Sequence, residues 1–448
     1  MLLVAGLLAC GKTPEGITPE VPGVPVPDGR RVERVLVLAL DGATWKVIRP
    51  LMKNGRMPHF RRLANAGVTA KLGTLEPTVS PAIWTTIATG VLPDRHGILG
   101  FDGVPGESMK TLPNASMRRV KAWWEIFDDA GVSSGTIGWW ASWPADPLGA
   151  GSYLVSDRVP YTRFEEVVHS SVLYARDTEP AELLQELLPL VERPNDIDRS
   201  VVKRFLNLEG RQIDSLLASR YKMGRALPEF KFVYQSDRST WKIAMQLLAE
   251  RPVDVATVYF TGIDTVSHLY WHWAYPKEFP RKDIDPKNVA RFGKVINRYC
   301  QLVDDYLGEM LSVVGENTTV MIVSDHGFGG TGRTPWSGGH GRLTLGAPIA
   351  PPGILILSGP GIAAGGHRIE ANVLDIAPTL LALLGLPAGE DMQGRVLEKA
   401  FAPNGPPVPR RIASWEQTGR VRAPEAPPVD PEGDAERLER LRALGYIQ

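Results

Sequence analysis

Asp41 closes the run RVLVLALDG, Asp325 and His326 stand side by side in SDHGFG, and Asp264 and His268 lie four apart in GIDTVSH. His340 follows in the glycine-rich stretch WSGGHG. Carboxylate oxygen and imidazole nitrogen are the ligands that a zinc-type divalent ion accepts. Six of them suffice for two sites of three, each with room for a substrate or a nucleophile. One Asp at a strand end could instead cap the next helix, and one His could be a hydrogen-bonded structural residue. The set as a whole is hard to explain that way. Ser80, in EPTVSPAIWTTIATG, is the candidate nucleophile. A serine hydroxyl attacks poorly until deprotonated, and no Ser-His-Asp elbow is present to do that. Bonding to a metal ion lowers a hydroxyl's pKa and removes the need for a base. If Ser80 opens the next helix, that helix also offers backbone N–H groups to an anion. The plainer alternative is a serine that only caps the helix.

Such residues need a frame. RVLVLALDG is an apolar run bounded by charge and by Asp-Gly, the pattern of a strand buried on both faces. Similar runs recur at 254–264, 318–327 and 353–361, and helical patterns alternate with them at HFRRLANAG, KAWWEIFDDAG, 287–314 and VLDIAPTLLALLGLP. This alternation predicts an α/β fold with a mainly parallel central sheet and helices on both faces. In such sheets the ligand site lies beyond the carboxyl ends of the strands, where Asp41, Asp264, Asp325 and His326 all fall. Residues about 160–250 read as a helical insertion over the site, without a buried strand. In VINRYCQLVDDYL, positions 295, 296, 299, 302, 303, 306 and 307 mark one helix face that also buries the thiol of Cys300.

The 448 residues carry fifty basic and fifty acidic side chains, so general attraction to nucleic acid is not expected. Forty-five glycines and 38 prolines predict many turns and irregular loops. The opening MLLVAGLLACG is too short to span a bilayer and suits the apolar core of a signal peptide. Its end resembles a bacterial lipobox, which implies a lipid anchor at Cys10 and a chain held at the bacterial cell envelope, on its periplasmic or extracellular face. The alternative is an apolar terminus with an incidental cysteine. The expected organisation is a signal peptide with lipobox at 1–10 and a disordered Pro/Gly-rich tether at 11–33. A catalytic domain follows at 34–400, then an irregular segment with a short helix at 401–448.

The series LDG, PTVSPAIWTTIATG, PDRHGI, GIDTVSH, SDHGFG, GGHG and DIAPTLLALLGLP resembles the alkaline phosphatase superfamily. Within it the chain is most similar to the type I phosphodiesterase / nucleotide pyrophosphatase family. The likeness spans residues about 34–396. It implies one metal held by Asp41, Asp325 and His326 with Ser80 as a further ligand, and another held by Asp264, His268 and His340. His367, in GGHRIE, is a rival for the last place, and the spacing to GILILSGPG favours His340. The family's ions are usually zinc, and Asp/His sites also accept Mn²⁺. The implied reaction is attack of the serine on phosphorus, then hydrolysis of the phosphoserine by water. The implied substrate is a phosphate-ester small molecule or lipid, and transfer to an alcohol or monoester cleavage would use the same site. Sulfatases of this superfamily place Pro and Arg at set distances after the nucleophile, whereas here Pro81 follows at once and Trp84 stands where Arg would be. Phe101 occupies the place where nucleotide phosphodiesterases usually have Asn. Trp123, Trp124, Trp139, Trp140 and Trp143 are read either as an apolar groove or as helix-to-sheet packing.

Overall fold

This computed structural model describes residues 32–101, 112–162, 176–219, 226–279, 284–330, 338–339, 350–419, 438, 439 and 442. Its strands, in chain order, are β1 (Arg34–Leu40), β2 (Val68–Gly73), β3 (Ser134–Ile137), β4 (Tyr153–Val155), β5 (Thr178–Glu179) and β6 (Val255–Phe260). They continue with β7 (Thr318–Val323), β8 (Gly329–Gly330), β9 (Gly338–Gly339), β10 (Gly353–Ser358) and β11 (His367–Asn372). Nine of them form one sheet in the order β11-β2-β10-β7-β1-β6-β3-β4-β5. Only β10 and β5 run against their neighbours, so the sheet is mainly parallel.

The sequence of β1 explains its central place. Side chains alternate across a strand, and every residue of β1 after Arg34 is apolar and buried. Leu36, Leu38 and Leu40 enter one core cluster, with Phe60, Ile243, Val266 and Tyr299 from helices on that face. Val35, Val37 and Ala39 enter the other, with Ile83, Trp84, Ile126 and Leu380. The two clusters are two helical layers with the sheet between them, the α/β architecture expected from the sequence.

The span 160–250 is not uniform. Short helices at Leu183–Leu187, Arg199–Phe205 and Arg211–Ala218 fit the helical reading. The long helix Ala226–Glu250, however, buries Phe230, Ile243 and Leu247 in the layer beneath the sheet, and β5 adds the sheet's last strand. These parts belong to the α/β frame. Their polar stripe hid this, because a helix covered on one side only keeps a hydrophilic face.

The helix Val295–Val314 buries all seven positions assigned to its apolar face, together with Cys300, whose thiol is pushed up to about 12 by burial. The tryptophans settle as packing. Trp123, Trp124, Trp139 and Trp143 are fully buried, and Trp139 lies edge-on to Trp84 at 5.0 Å and to Trp123 at 4.8 Å. Those four do not line a groove; only Trp140 stays partly exposed. The irregular residues after 400 are tied back by Lys121, whose ammonium pairs with Asp129 and donates to the Trp415 carbonyl at 3.0 Å. Cys10, residues 11–31 of the expected tether, His340 and most of the C-terminal helix lie outside the described residues; Val32, near the tether's end, is instead buried in the core with its N–H donating to the Leu383 carbonyl at 2.9 Å. No helix among the described residues is long and apolar enough to cross a membrane.

Candidate metal centre and nucleophile

Three adjacent parallel strands deliver the acidic residues. β1 pairs with β7 on one side and β6 on the other, and the Asp41 N–H donates to the Phe260 carbonyl at 3.0 Å. Asp41 therefore leaves the end of the middle strand, Asp325 and His326 leave β7, and Asp264 sits in the helix Gly262–Ala274 that follows β6. Gly42 makes the close approach. It has φ +65, and a Cβ there would lie 2.5 Å from Asp264 Oδ1, so only glycine fits.

Ser80 is the first residue of the helix Ser80–Thr89, as its sequence context allowed, and Val79 rather than Ser80 holds the cap position. Pro81 suits a first helical turn because its fixed φ is already helical. The Ser80 hydroxyl lies 3.5 Å from Asp41 Oδ1 and 3.2 Å from His326 Nε2. His326 Nε2 is also 3.3 Å from Asp41 Oδ1 and 3.2 Å from Asp325 Oδ2. Four residues from three remote segments thus converge within hydrogen-bond range, all buried. His268 Nε2 lies 3.4 Å from Asp264 Oδ2, one helical turn on, which forms the neighbouring pair. His367 does not join them. It begins the exposed edge strand β11, separated from β1 by β2, β10 and β7. His340 is outside the described residues; the preceding β9 pairs with β8 just after SDHGFG and lies against the Asp264 helix.

The electrostatics are those of a cation site. Burial, with Asp41 and Asp264 adding repulsion, raises the Asp325 pKa well above the carboxylate range, and His326 opposes this. Burial alone would keep His326 neutral, but the Asp325 and Asp41 carboxylates outweigh it and raise its pKa to about 10. One ligand atom each from Asp41, Asp325 and His326 lies within 4.8 Å of the others, and Asp325 Oδ2 accepts no hydrogen bond. Like charges sealed from water with an acceptor unsatisfied are what a divalent ion neutralises, so these residues fit a metal.

Sequence reasoning missed the residues that aim these ligands. Asp41 Oδ2 accepts from Tyr259 Oη and, at 3.2 Å, from Trp84 Nε1, which leaves Oδ1 to face Ser80 and His326. Ser324 Oγ accepts from Ala43 N at 2.9 Å and donates to the His326 carbonyl at 2.8 Å, fixing the SDHG turn on the Asp41 turn. Asp237 accepts from Gly262 N at 3.1 Å and Tyr299 Oη at 2.9 Å, pinning the start of the Asp264 helix. A visible signal existed for Tyr259, a hydroxyl-bearing ring next to the end of a strand whose only other polar residue is Thr257. Groups that orient metal ligands are typically worth 10–100-fold in affinity. Tyr259→Phe should therefore weaken Zn²⁺ binding by about 10–100-fold in a chelator-competition titration. Tyr153→Phe, which removes a buried hydroxyl that makes no hydrogen bond, is expected to change it by less than about twofold. Equal effects would point to general loosening of the core.

His96, in PDRHGI, has a supporting role. Its Nε2 lies 3.0 Å from Thr86 Oγ1 and 3.1 Å from the Ala82 carbonyl, and Nδ1 accepts from Ile98 N at 3.1 Å. It thereby staples the Ser80 helix to the next loop. Burial, with Arg118 adding repulsion, holds its pKa down at about 3. The unfolded chain takes up this proton near pH 6.5 and the folded one near 3, so the stabilisation is complete above 6.5 and is lost as pH falls towards 3. The limiting slope is about 1.4 kcal/mol per pH unit. Metal-free wild type should lose more Tm between pH 7 and pH 5 than His96→Gln, and parallel losses would exclude this role.

A model of the type I phosphodiesterase / nucleotide pyrophosphatase family matches residues 35–335. The chain belongs to that family. A 2,3-bisphosphoglycerate-independent phosphoglycerate mutase of Cereibacter sphaeroides is 36% identical over 102 residues, 22% of this chain and 19% of the mutase. The chain therefore matches about a fifth of the length of that curated relative. A 2-O GAG sulfatase structure superposes with a TM-score of 0.51 at 14% identity, covering 83% of this chain and 74% of its own. At that identity the likeness is one of fold. A phosphonate monoester hydrolase from Silicibacter pomeroyi aligns at a TM-score of 0.45 and 16% identity, over 83% of this chain and 77% of its own.

Proposed function

We propose that the chain hydrolyses phosphoric esters with divalent metal ions and Ser80 as the nucleophile. The observation that carries this reading is the placement of the Ser80 hydroxyl, at a helix N-terminus and within 3.5 Å of both Asp41 and His326. Asp41, Asp325 and His326, with Ser80, would hold one ion, and Asp264, His268 and His340 would hold the other. When bound, the ions lower the hydroxyl's pKa and neutralise charge on the attacking and leaving oxygens. The residues themselves set the geometry. Ser80 Oγ bonds to phosphorus, the bond to the leaving ester oxygen breaks, and water later displaces the serine from the opposite side. The positive end of the Ser80 helix faces the phosphoryl oxygens through that sequence. Tyr259 and Trp84 keep Asp41 from turning its second oxygen inward.

Membership of a phosphodiesterase family supports ester cleavage over a purely binding role. The mutase relative favours a second reading, in which an alcohol rather than water takes the phosphoryl group. A panel of p-nitrophenyl phosphate, bis(p-nitrophenyl) phosphate, p-nitrophenyl phenylphosphonate and p-nitrophenyl sulfate separates these classes in zinc-loaded protein. Diester or phosphonate turnover that stops with chelator is the expected result, and a phosphorylated product with added glycerol would establish transfer. Turnover of the sulfate alone would sink the proposal.

A further inference from the structure

Away from the metal centre, a cavity of about 350 Å³ opens between the end of the helix Trp45–Lys53, the start of the helix Val295–Val314 and Tyr275. Tyr275 follows the last turn of the helix that carries Asp264 in its first turn, which places it roughly 16 Å along that helix from the candidate ligand. The volume is in the range of small-molecule sites. Pro50, Leu51 and the ring of Tyr275 give the cavity an apolar wall. Arg56, Lys294 and Arg298 line the same space, and none of the described residues around it is acidic.

The whole chain balances fifty basic against fifty acidic side chains, so three cations without a facing carboxylate are a local feature. Arg298 is held by neutral groups: its guanidinium donates to the Phe205 carbonyl and to Asn207 Oδ1, both at 2.9 Å. Those bonds fix its direction and leave its charge uncancelled. Burial, with Arg56 adding repulsion, lowers its pKa from the ordinary arginine value. Arg56 and Lys294 are exposed and form no ion pair. Glu278, which acts electrostatically on Tyr275, is already paired with Lys46. Lys294 is also the N-cap of the helix Val295–Val314, whose first turn no side chain caps, so the positive end of that helix adds to the same field.

Three cations around one space suit an anion of more than one charge, and guanidinium groups match the geometry of phosphate oxygens. Inorganic phosphate would leave the apolar wall in water, whereas a carbon body would cover it. We infer that this cavity binds a small organic phosphate or phosphonate, its dianionic head among Arg56, Lys294 and Arg298 and its carbon body against Pro50, Leu51 and Tyr275. It is a second ligand site, separate from the metal centre and independent of the reading of Ser80.

Titration calorimetry of the zinc-loaded full chain with phenylphosphonate tests it, at mildly alkaline pH where the probe is a dianion. Wild type should show two binding events, one at the metal centre and one in the cavity. The double variant Arg56→Ala/Lys294→Ala removes two exposed side chains that make no hydrogen bond in the fold. It should weaken one event by at least about tenfold and leave the other event and the Tm as in wild type. Inorganic phosphate should bind the cavity about tenfold more weakly than phenylphosphonate, because it covers none of the wall. A single event in wild type, or two events that the double variant leaves unchanged, overturns the inference. Equal affinity of the cavity for the two probes would overturn the organic class of ligand.

Discussion

Ser80→Ala should lower kcat on a phosphate diester by about 10⁴-fold or more, because the hydroxyl proposed to form the covalent bond is gone. The hydroxyl sits 3.2 Å from His326 Nε2, and no other hydroxyl lies that close among the described residues of the cluster. Alanine removes one of the four proposed ligand atoms and leaves Asp41, Asp325 and His326 in place, so protein loaded at saturating zinc should still hold an ion there. Wild type quenched in acid during turnover should carry phosphate on Ser80, and the variant none. Full activity in the variant would mean that water attacks directly and that the serine is only the first residue of a helix. Lost activity together with lost zinc would make Ser80 chiefly a ligand.

Asp325→Asn should produce opposite changes in stability and function. Asp325 Oδ1 accepts the Gly42 N–H at 3.3 Å, and its Oδ2 faces only the His326 ring at 3.2 Å. An amide keeps the first contact and removes one of the crowded buried charges; with the Asp325 carboxylate that raises the His326 pKa gone, the imidazole turns neutral and its Nε2 can accept the amide N–H. Metal-free protein should then gain on the order of 1–2 kcal/mol, read as a rise in Tm. Zinc affinity should fall by more than about 100-fold, beyond the loss expected for a group that merely orients a ligand, and ester cleavage should fall with it. A variant that is less stable without metal would show that the carboxylate is held by contacts stronger than the repulsion around it.

Much of this arrangement is legible in the chain. β1, β6, β7 and β10 announce themselves as apolar runs because both their faces are covered, and the first three lead into the Asp and His residues of the candidate site. β2 and β11 do not, for a physical reason. Lys71 and the residues HRIEAN lie at or near the sheet edge with one face in water, so no continuous apolar run marks them. The short β3, Ser134–Ile137, contains Gly135, where a Cβ would lie 2.1 Å from the Tyr153 ring; a residue required by close packing looks like a turn in sequence. The ligands could be named from motifs, but their supports could not. Tyr259, Trp84 and Asp237 act across the fold on residues remote in sequence, and Trp84, notable in sequence only for standing where sulfatases have Arg, reaches Asp41 with its N–H. Of the two readings of the tryptophans, packing holds for Trp123, Trp124, Trp139 and Trp143, a choice the sequence left open because ring type says nothing about which side of a helix it occupies.

The placing of β1 between β6 and β7 also governs how fast the centre can change its occupant. Amides in the middle of a sheet exchange with solvent mainly when the whole domain opens, since both ladders must break at once. The ligand turns hang directly from those strands, so terminal fraying gives an ion no side exit. Departure then has two routes: through the mouth of the folded protein, or with global opening. A chelator's stripping rate tells them apart. A rate that climbs with chelator concentration reports the mouth, whereas a plateau equal to the slowest amide exchange means that the ion stays for the lifetime of the native state.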